Sequence, residues 1–263
     1  GIGIVPVQVI VGGQAFDETE DAQAQRVADA LVEWQPVTTS RPSPMRFLQA
    51  YEWAVESGAT EIVVATLSSA MSATYESAVL ASKEFDAPVR VIDSRTIAMG
   101  LGFAVLSGAR AARAGASAAE VADVIERRSL SSSVFFYVDT LEYLRRGGRV
   151  SAARAVVGQA LKVKPLLQVV DGHVTPLENV RTAGRALGRL EDLAVAAATE
   201  SGGDVDLAVQ HLSSPDRAAD LAQRLSVRLP SATIVECPVG GVVGAHVGPG
   251  MVAVIVAPQV VAT

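Results

Sequence analysis

Glu61-Ile-Val-Val-Ala-Thr66-Leu-Ser-Ser-Ala-Met-Ser72-Ala-Thr-Tyr75 runs from β-branched apolar residues into a cluster of hydroxyls, and then into helix-like sequence. Glu61 to Thr66 predicts a strand, and the sequence after the hydroxyl cluster predicts a helix to about Phe85. A strand that hands over to a helix is the building unit of an α/β fold. Hydroxyls at that junction, together with the free N–H groups of a helix's first turn, can hold a carboxylate or a phosphate.

The same pattern extends outward in both directions. Downstream, Val89 to Ile92 predicts a strand ending in Asp93-Ser94. Helices follow over about Thr96 to Ala114 and Ser117 to Arg128, the second opened by a Ser117-Ala-Ala-Glu120 capping box. Upstream, Gly3 to Val11 predicts a strand closed by Gly12-Gly13, and Asp21 to Trp34 a helix with Val27, Leu31 and Trp34 on one face. A second hydroxyl stretch, Val37-Thr-Thr-Ser-Arg-Pro-Ser-Pro44, reads as a loop. Its Ser43-Pro44 starts a helix that carries Phe47, Tyr51 and Val55 as its apolar stripe and is closed by Gly58. Strands alternating with helices imply parallel strands, whose C-terminal loops gather at the ligand-binding edge of the sheet.

The pattern changes after Arg128. Ser133 to Val138 predicts a strand, Ser151 to Leu161 a helix, and Leu166 to Val170 with His173 to Leu177 a hairpin about Asp171-Gly172. A helix over about Arg181 to Thr199 leads to strand Val205 to Gln210, helix Pro215 to Leu229, and strands Ala232 to Cys237 and Met251 to Val256. The expected fold is therefore α/β and two-lobed. Residues 1–128 form an N-terminal parallel sheet with crossover helices, and residues 129–263 a C-terminal mixed sheet with helices.

Composition narrows the function. The 263 residues are 49% hydrophobic, 19% charged and 5% aromatic, with a formal net charge of −6. Ala and Val dominate, a composition that leaves room for an elongated apolar ligand. No basic stripe tracks a nucleic-acid backbone. The single Cys237 forms no intramolecular disulfide, points to a reducing cytoplasm, and reads as a small core residue. The three scattered His give no metal-ligand spacing. No apolar run is long and unbroken enough to span a membrane, and no signal peptide precedes the first strand. The chain starts at Gly1 without Met and enters a strand at once, which points to a longer polypeptide.

Several residues are candidates for chemistry. Ser68, Ser69 and Ser72 either cradle an anion or cap the helix that follows them. His246, in Gly244-Ala-His-Val-Gly-Pro-Gly250, can hydrogen-bond an anion near neutral pH or serve as a turn residue. Arg145, Arg146, Arg149 and Arg154 form the densest basic patch. Arg149 follows a Gly-Gly turn and suits bidentate capture of a carboxylate or phosphate. Arg181 starts a helix, where the dipole disfavours it. Ser72, Asp93 and His246 also occur in the chain order of a hydrolase triad, so a serine hydrolase of acyl esters is one alternative. A small-anion or phosphosugar binding module is another. Gly100-Leu-Gly102 lacks the third Gly of a dinucleotide fingerprint, and no Gly-x4-Gly-Lys occurs.

Five segments, in order along the chain, resemble the DegV family, which includes the fatty acid-binding subunits of bacterial fatty acid kinase. They are Thr39-Ser-Arg-Pro-Ser43, Ser68-Ser-Ala-Met-Ser-Ala-Thr-Tyr75, Val91-Ile-Asp-Ser94, Leu141-Glu-Tyr-Leu-Arg-Arg-Gly-Gly-Arg149 and Gly244-Ala-His-Val-Gly-Pro-Gly250. The resemblance implies two α/β lobes around a long-chain fatty acid. It implies a carboxylate held by Thr39, Ser40, Ser72 and His246, with Ser68, Ser69 and Thr74 in support. It assigns Arg149 and Arg181 to the phosphorylated head group or to a kinase partner. The implied role is a carrier, not an enzyme, without cofactor or metal. It presents the carboxylate to a separate ATP-dependent kinase subunit and retains the acyl phosphate for phospholipid synthesis, with a membrane acyltransferase as a transient partner. Family members begin with a strand ending in Thr-Asp-Ser that has no counterpart here, so one strand and its turn are expected to be missing. Ala73 stands where the family often has Gly.

Overall fold

The computed structural model describes residues 1–18, 22–150, 163–202 and 204–260. The first hairpin forms because Gly12 and Gly13 adopt φ of 57° and 87°. A two-residue loop with both φ positive matches the twist of antiparallel strands, and glycine enters it without strain. It joins β1 (Gln8–Val11) to β2 (Gln14–Asp17), so the ladder uses only the second half of the expected Gly3 to Val11 strand and adds a partner the sequence reading did not contain. After α1 (Ala22–Val32), β3 (Val37–Ser40) pairs antiparallel with the other side of β1, placing Thr39 opposite Val9. The stretch read as a hydroxyl loop is thus half strand. Val-Thr-Thr is β-branched and satisfies its backbone in the ladder, which leaves Thr39 held on rigid structure. The sheet order is β2-β1-β3.

Ser43 and Pro44 open α2 (Pro44–Glu56) as N-cap and first helical residue. Phe47 and Tyr51 are buried as the periodicity predicts, while Val55 is exposed. β4 (Ile62–Thr66), α3 (Thr74–Lys83) and β5 (Val89–Asp93) form the expected parallel crossover. Its register puts Thr66 beside Asp93, so the hydroxyl loop and Asp93-Ser94 leave the same edge. α4 (Met99–Arg113) and α5 (Ala118–Ser131) follow, the latter with both halves of its capping box formed. The expected division at residue 128 falls inside α5.

The second half is organised by a six-stranded sheet of order β10-β9-β11-β6-β7-β8. Its elements are β6 (Ser133–Tyr137), α6 (Glu142–Gly147), β7 (Lys164–Val170), β8 (His173–Val180), α7 (Ala183–Glu200), β9 (Val205–His211), α8 (Pro215–Arg228), β10 (Thr233–Pro238), α9 (Gly241–Val247) and β11 (Val252–Pro258). Only β9 and β10 run parallel; the other pairs are antiparallel, so the sheet is mixed. Asp171 and Gly172 take φ of 49° and 78°, the primed turn the sequence predicts. The expected helix Ser151 to Leu161, and Arg154 within it, lie outside the described residues. One sheet face, with Tyr137, Leu166, Leu207, Val209 and Val254, packs under α7 and α8. The other carries Phe136, Leu167, Ala208, Ala253 and Ile255. Cys237 is half-buried rather than in the core.

Arg128 fastens α5 to that sheet. It is 3% exposed and pairs with Asp206 on β9, donates to Ser107 Oγ at 2.7 Å, and reaches the Ala257 carbonyl of β11 at 3.4 Å. Removing one partner of a buried pair strands the other charge. We expect Arg128→Met to lower stability by about 3–5 kcal/mol in urea denaturation, and a second change, Asp206→Leu, to restore much of it. An unchanged midpoint in the single variant would refute this role.

Candidate functional site

The inner face of the six-stranded sheet is the floor of a cavity of about 390 Å³. Strand register orders that floor. Gln210, Ala253 and Phe136 stand in one row across β9, β11 and β6, and Ala208, Ile255 and Val134 in the next. Same-face rows lie about 7 Å apart along a strand. Towards the other end, the backbone of Leu212 meets that of Met251, and the Val239 N–H donates to the His211 carbonyl just before α9. The far end is walled by Val169 and Val174, on either side of the Asp171-Gly172 turn. Most lining residues are aliphatic or aromatic.

The polar groups gather at the α9 end. Thr39, on β3, and His246, on the last turn of α9, meet with Thr39 Oγ1 2.9 Å from His246 Nε2, across 207 positions of sequence. Both line the cavity, as do Ser40, Arg41, Ser72, Ala73 and Arg149. The segment read as a turn around His246 is a short helix, which fixes the imidazole more firmly than a glycine loop would. Its other nitrogen, Nδ1, has no hydrogen-bond partner among the described residues. A Cβ on Gly147 would stand 2.2 Å from Nδ1, so the Gly-Gly turn exists partly to make room for this ring. Burial, and then the Arg149 guanidinium beside it, lower the His246 pKa to about 4. The imidazole is therefore neutral at physiological pH.

Arg149 bridges the halves: its Nε donates to the Met71 carbonyl at 3.1 Å, and a terminal nitrogen donates to the Gly147 carbonyl. This draws the hydroxyl loop over the cavity. Within that loop the hydroxyls divide. Ser68 is fully buried and donates to the Gly172 carbonyl at 2.8 Å, clasping the β7–β8 turn. Ser69 bonds Asp93 through both its backbone N–H, at 3.0 Å, and its hydroxyl. Ser72 and Thr74 share a hydrogen bond of 2.8 Å, and of these four only Ser72 lines the cavity. Ala73 is the N-cap of α3 and has no side-chain acceptor to offer that helix's first N–H groups.

Other candidate residues have other places in the fold. Ser68 and Ser69 hold the loop together instead of facing a head group. Asp93 accepts from Ser69 and from the Arg95 N–H, while His246 bonds Thr39, so the Ser72–His246–Asp93 relay of a hydrolase is not assembled. Arg181 lies exposed on the bend before α7, outside the cavity lining. No group of His, Cys, Asp and Glu among the described residues is arranged to hold a metal ion, and no described helix is long and apolar enough to cross a membrane.

Sequence reading missed three residues here. Arg41 adds a second guanidinium at the cavity mouth; its position directly after the hydroxyls of β3 was the available signal. Glu18 accepts from the Val242 N–H at 2.6 Å and so holds the start of α9, and burial raises its pKa. Nothing in the local sequence marks that long-range contact. Gln210 places a carboxamide in the apolar floor; its signal was a lone amide in a strand otherwise rich in apolar residues.

Known proteins share this fold. A family profile with the description "Uncharacterised protein, DegV family" matches residues 1–259. A DegV domain-containing protein of Streptomyces coelicolor is 48% identical over 257 residues, covering 97% of this chain and 91% of its own length. The structure of a DegV family protein from Thermus thermophilus, presented with fatty acid binding, superposes with a TM-score of 0.90 at 29% identity, over 97% of this chain and 91% of that one. DegV of Bacillus subtilis, described as a fatty acid binding protein, superposes at 0.86 with 27% identity, over 97% and 90%.

The depressed His246 pKa links stability to pH. The unfolded chain binds a proton below 6.5 that the folded chain refuses until about 4. Stability contributed by the neutral ring is therefore present above 6.5 and lost as pH falls through that window, up to about 3 kcal/mol. In denaturant titrations, the wild type should lose that much more than His246→Gln between the two pH values. Parallel curves would contradict the assignment.

Proposed function

This chain belongs to the DegV family, and from that premise we propose that it binds a long-chain fatty acid and serves as a carrier rather than an enzyme. The acyl tail lies along the apolar floor, and the carboxylate rests at Thr39, Ser72 and His246, with Ser40 beside them. The observation that carries this reading is the polarity of the cavity. Its hydroxyls, imidazole and guanidinium groups stand at one end of a long apolar wall. Such a wall suits neither a small anion nor a phosphosugar. Each methylene buried contributes roughly 0.8 kcal/mol, so the tail supplies most of the affinity. Thr39 and Ser72 donate to the carboxylate, and Arg149 supplies positive potential where a fixed positive charge on His246 is absent.

The carrier reading extends to a partner. The sequence has no nucleotide-binding Gly-x4-Gly-Lys, so phosphorylation of the carboxylate falls to a separate ATP-dependent kinase. Arg41 and Arg149 at the mouth suit the added negative charge of an acyl phosphate retained there for phospholipid synthesis. Arg181, exposed and outside the cavity lining, is available to a partner protein. Delivery then runs to a membrane acyltransferase, in the cytoplasm.

Native mass spectrometry of gently purified protein should find a long-chain fatty acid bound, and its absence at saturating added acid would end the proposal. Thr39→Val and Ser72→Ala should each weaken binding about tenfold or more, the worth of a hydrogen bond to a charged group. Arg149→Ala should leave most lipid affinity and impair turnover with the kinase; complete loss of lipid binding in a folded Arg149→Ala protein would overturn that division of roles.

A further inference from the structure

Gln210 stands out on the cavity floor because its neighbours there are apolar. It is 5% exposed, lies in one row with Ala253 and Phe136, and lines the cavity. Its orientation is determined. The backbone N–H of Met99 donates to Gln210 Oε1 at 3.1 Å, so the other end of the amide is the nitrogen. That contact has a clear structural cause. Met99 begins α4, and the residue before it, Ala98, has no side-chain oxygen to cap the helix and sits at φ 55°. Gln210 supplies the missing acceptor from across the interface.

The nitrogen end is not accounted for in the same way. Gln210 Nε2 approaches Cys237 Sγ at 3.5 Å, and sulfur is a weak acceptor. A carboxamide nitrogen has two N–H donors, so a second donor has no acceptor among the described residues. A helix cap needs only the oxygen. Glutamine in this row therefore brings a further donor into the wall, beyond the oxygen that caps α4 and the N–H that faces Cys237.

Resting on the fatty acid-binding reading above, we infer that Gln210 is a specificity-determining residue that selects acyl chains bearing a hydrogen-bond-accepting oxygen, hydroxyl or oxo, in mid-chain. The row order supports a mid-chain position. The carboxylate end lies at α9 and Met251; Gln210's row is about 7 Å further along the strands, and the row of Ile255 and Val134 about 7 Å beyond that. An oxygen at the Gln210 level would accept the second N–H, while a saturated chain leaves that donor unpaired against methylene.

The test is competition between octadecanoic acid and its mid-chain oxo positional isomers for the full-length wild-type protein, repeated with Gln210→Met. The oxo group is chosen because it can only accept. At least one isomer should bind wild type about tenfold more tightly than octadecanoic acid, and the preference should vanish or reverse in Gln210→Met. The ratio within one variant cancels any general loss of affinity from the weakened α4 cap. An independent readout needs no variant: the infrared carbonyl stretch of an isotope-labelled oxo group should shift to lower frequency on binding wild type, as a hydrogen-bonded carbonyl does. Equal affinities, a preference that persists in Gln210→Met, or an unshifted carbonyl would each overturn the inference. If octadecanoic acid binds and no oxo isomer is preferred, only the role of Gln210 fails. If neither binds, the fatty acid reading fails with it.

Discussion

Thr39 and His246 are 207 positions apart in sequence, and their side chains meet at 2.9 Å. Much of the architecture is needed to bring them there. Thr39 is fixed because β3 pairs with β1, and β1 is turned by two glycines with positive φ. His246 is fixed because α9 is held at its start by Glu18 and covered near its end by the Gly147 turn. The ring is buried deeply enough, and close enough to Arg149, to remain neutral well below physiological pH. A neutral imidazole can exchange donor and acceptor roles with the threonine hydroxyl, so the pair can turn a hydroxyl proton toward an incoming carboxylate.

Around this contact, polar groups are separated by duty. Arg128, Ser68, Ser69 and Asp93 join halves of the molecule or hold turns, and their hydrogen bonds go to protein. Thr39, Ser72 and Arg149 also bond to protein, yet they border the cavity. The floor comes from the inner face of a sheet whose outer face is sealed by α7 and α8, and apolar residues of α6, α9 and the loops around them close its sides. A polar mouth on an apolar trough can satisfy both ends of an amphipathic ligand, and the fixed sheet register keeps head and tail positions apart.

The sequence made some of this legible and hid the rest for physical reasons. The β4 strand, hydroxyl loop and α3 helix could be read because apolar period, hydroxyl cluster and helix start coincide locally. The Asp171-Gly172 hairpin and the Ser117 capping box could be read because each depends on neighbours in sequence. Strand β3 was hidden because threonine and serine suit loops and edge strands equally, and only pairing with β1 decides between them. Strand β2 depended on reading Gly12-Gly13 as a hairpin turn rather than as an end. Ser68 and Ser72 look alike in sequence; the carbonyl of Gly172, 104 positions away, makes the first structural. Gln210 and Glu18 matter through partners that no local pattern announces.

The central claim is that the Thr39–His246–Ser72 end of the cavity receives a carboxylate and the sheet face receives its tail. A crystal structure of the protein with a bound long-chain fatty acid tests this most directly. The account predicts carboxylate oxygens within hydrogen-bonding distance of Thr39 Oγ1 and Ser72 Oγ, with the acyl chain running past Met251 and Gln210 toward Val134 and Ile255. A fatty acid lying in the opposite direction, or bound outside this cavity with Thr39 and His246 untouched, would contradict it.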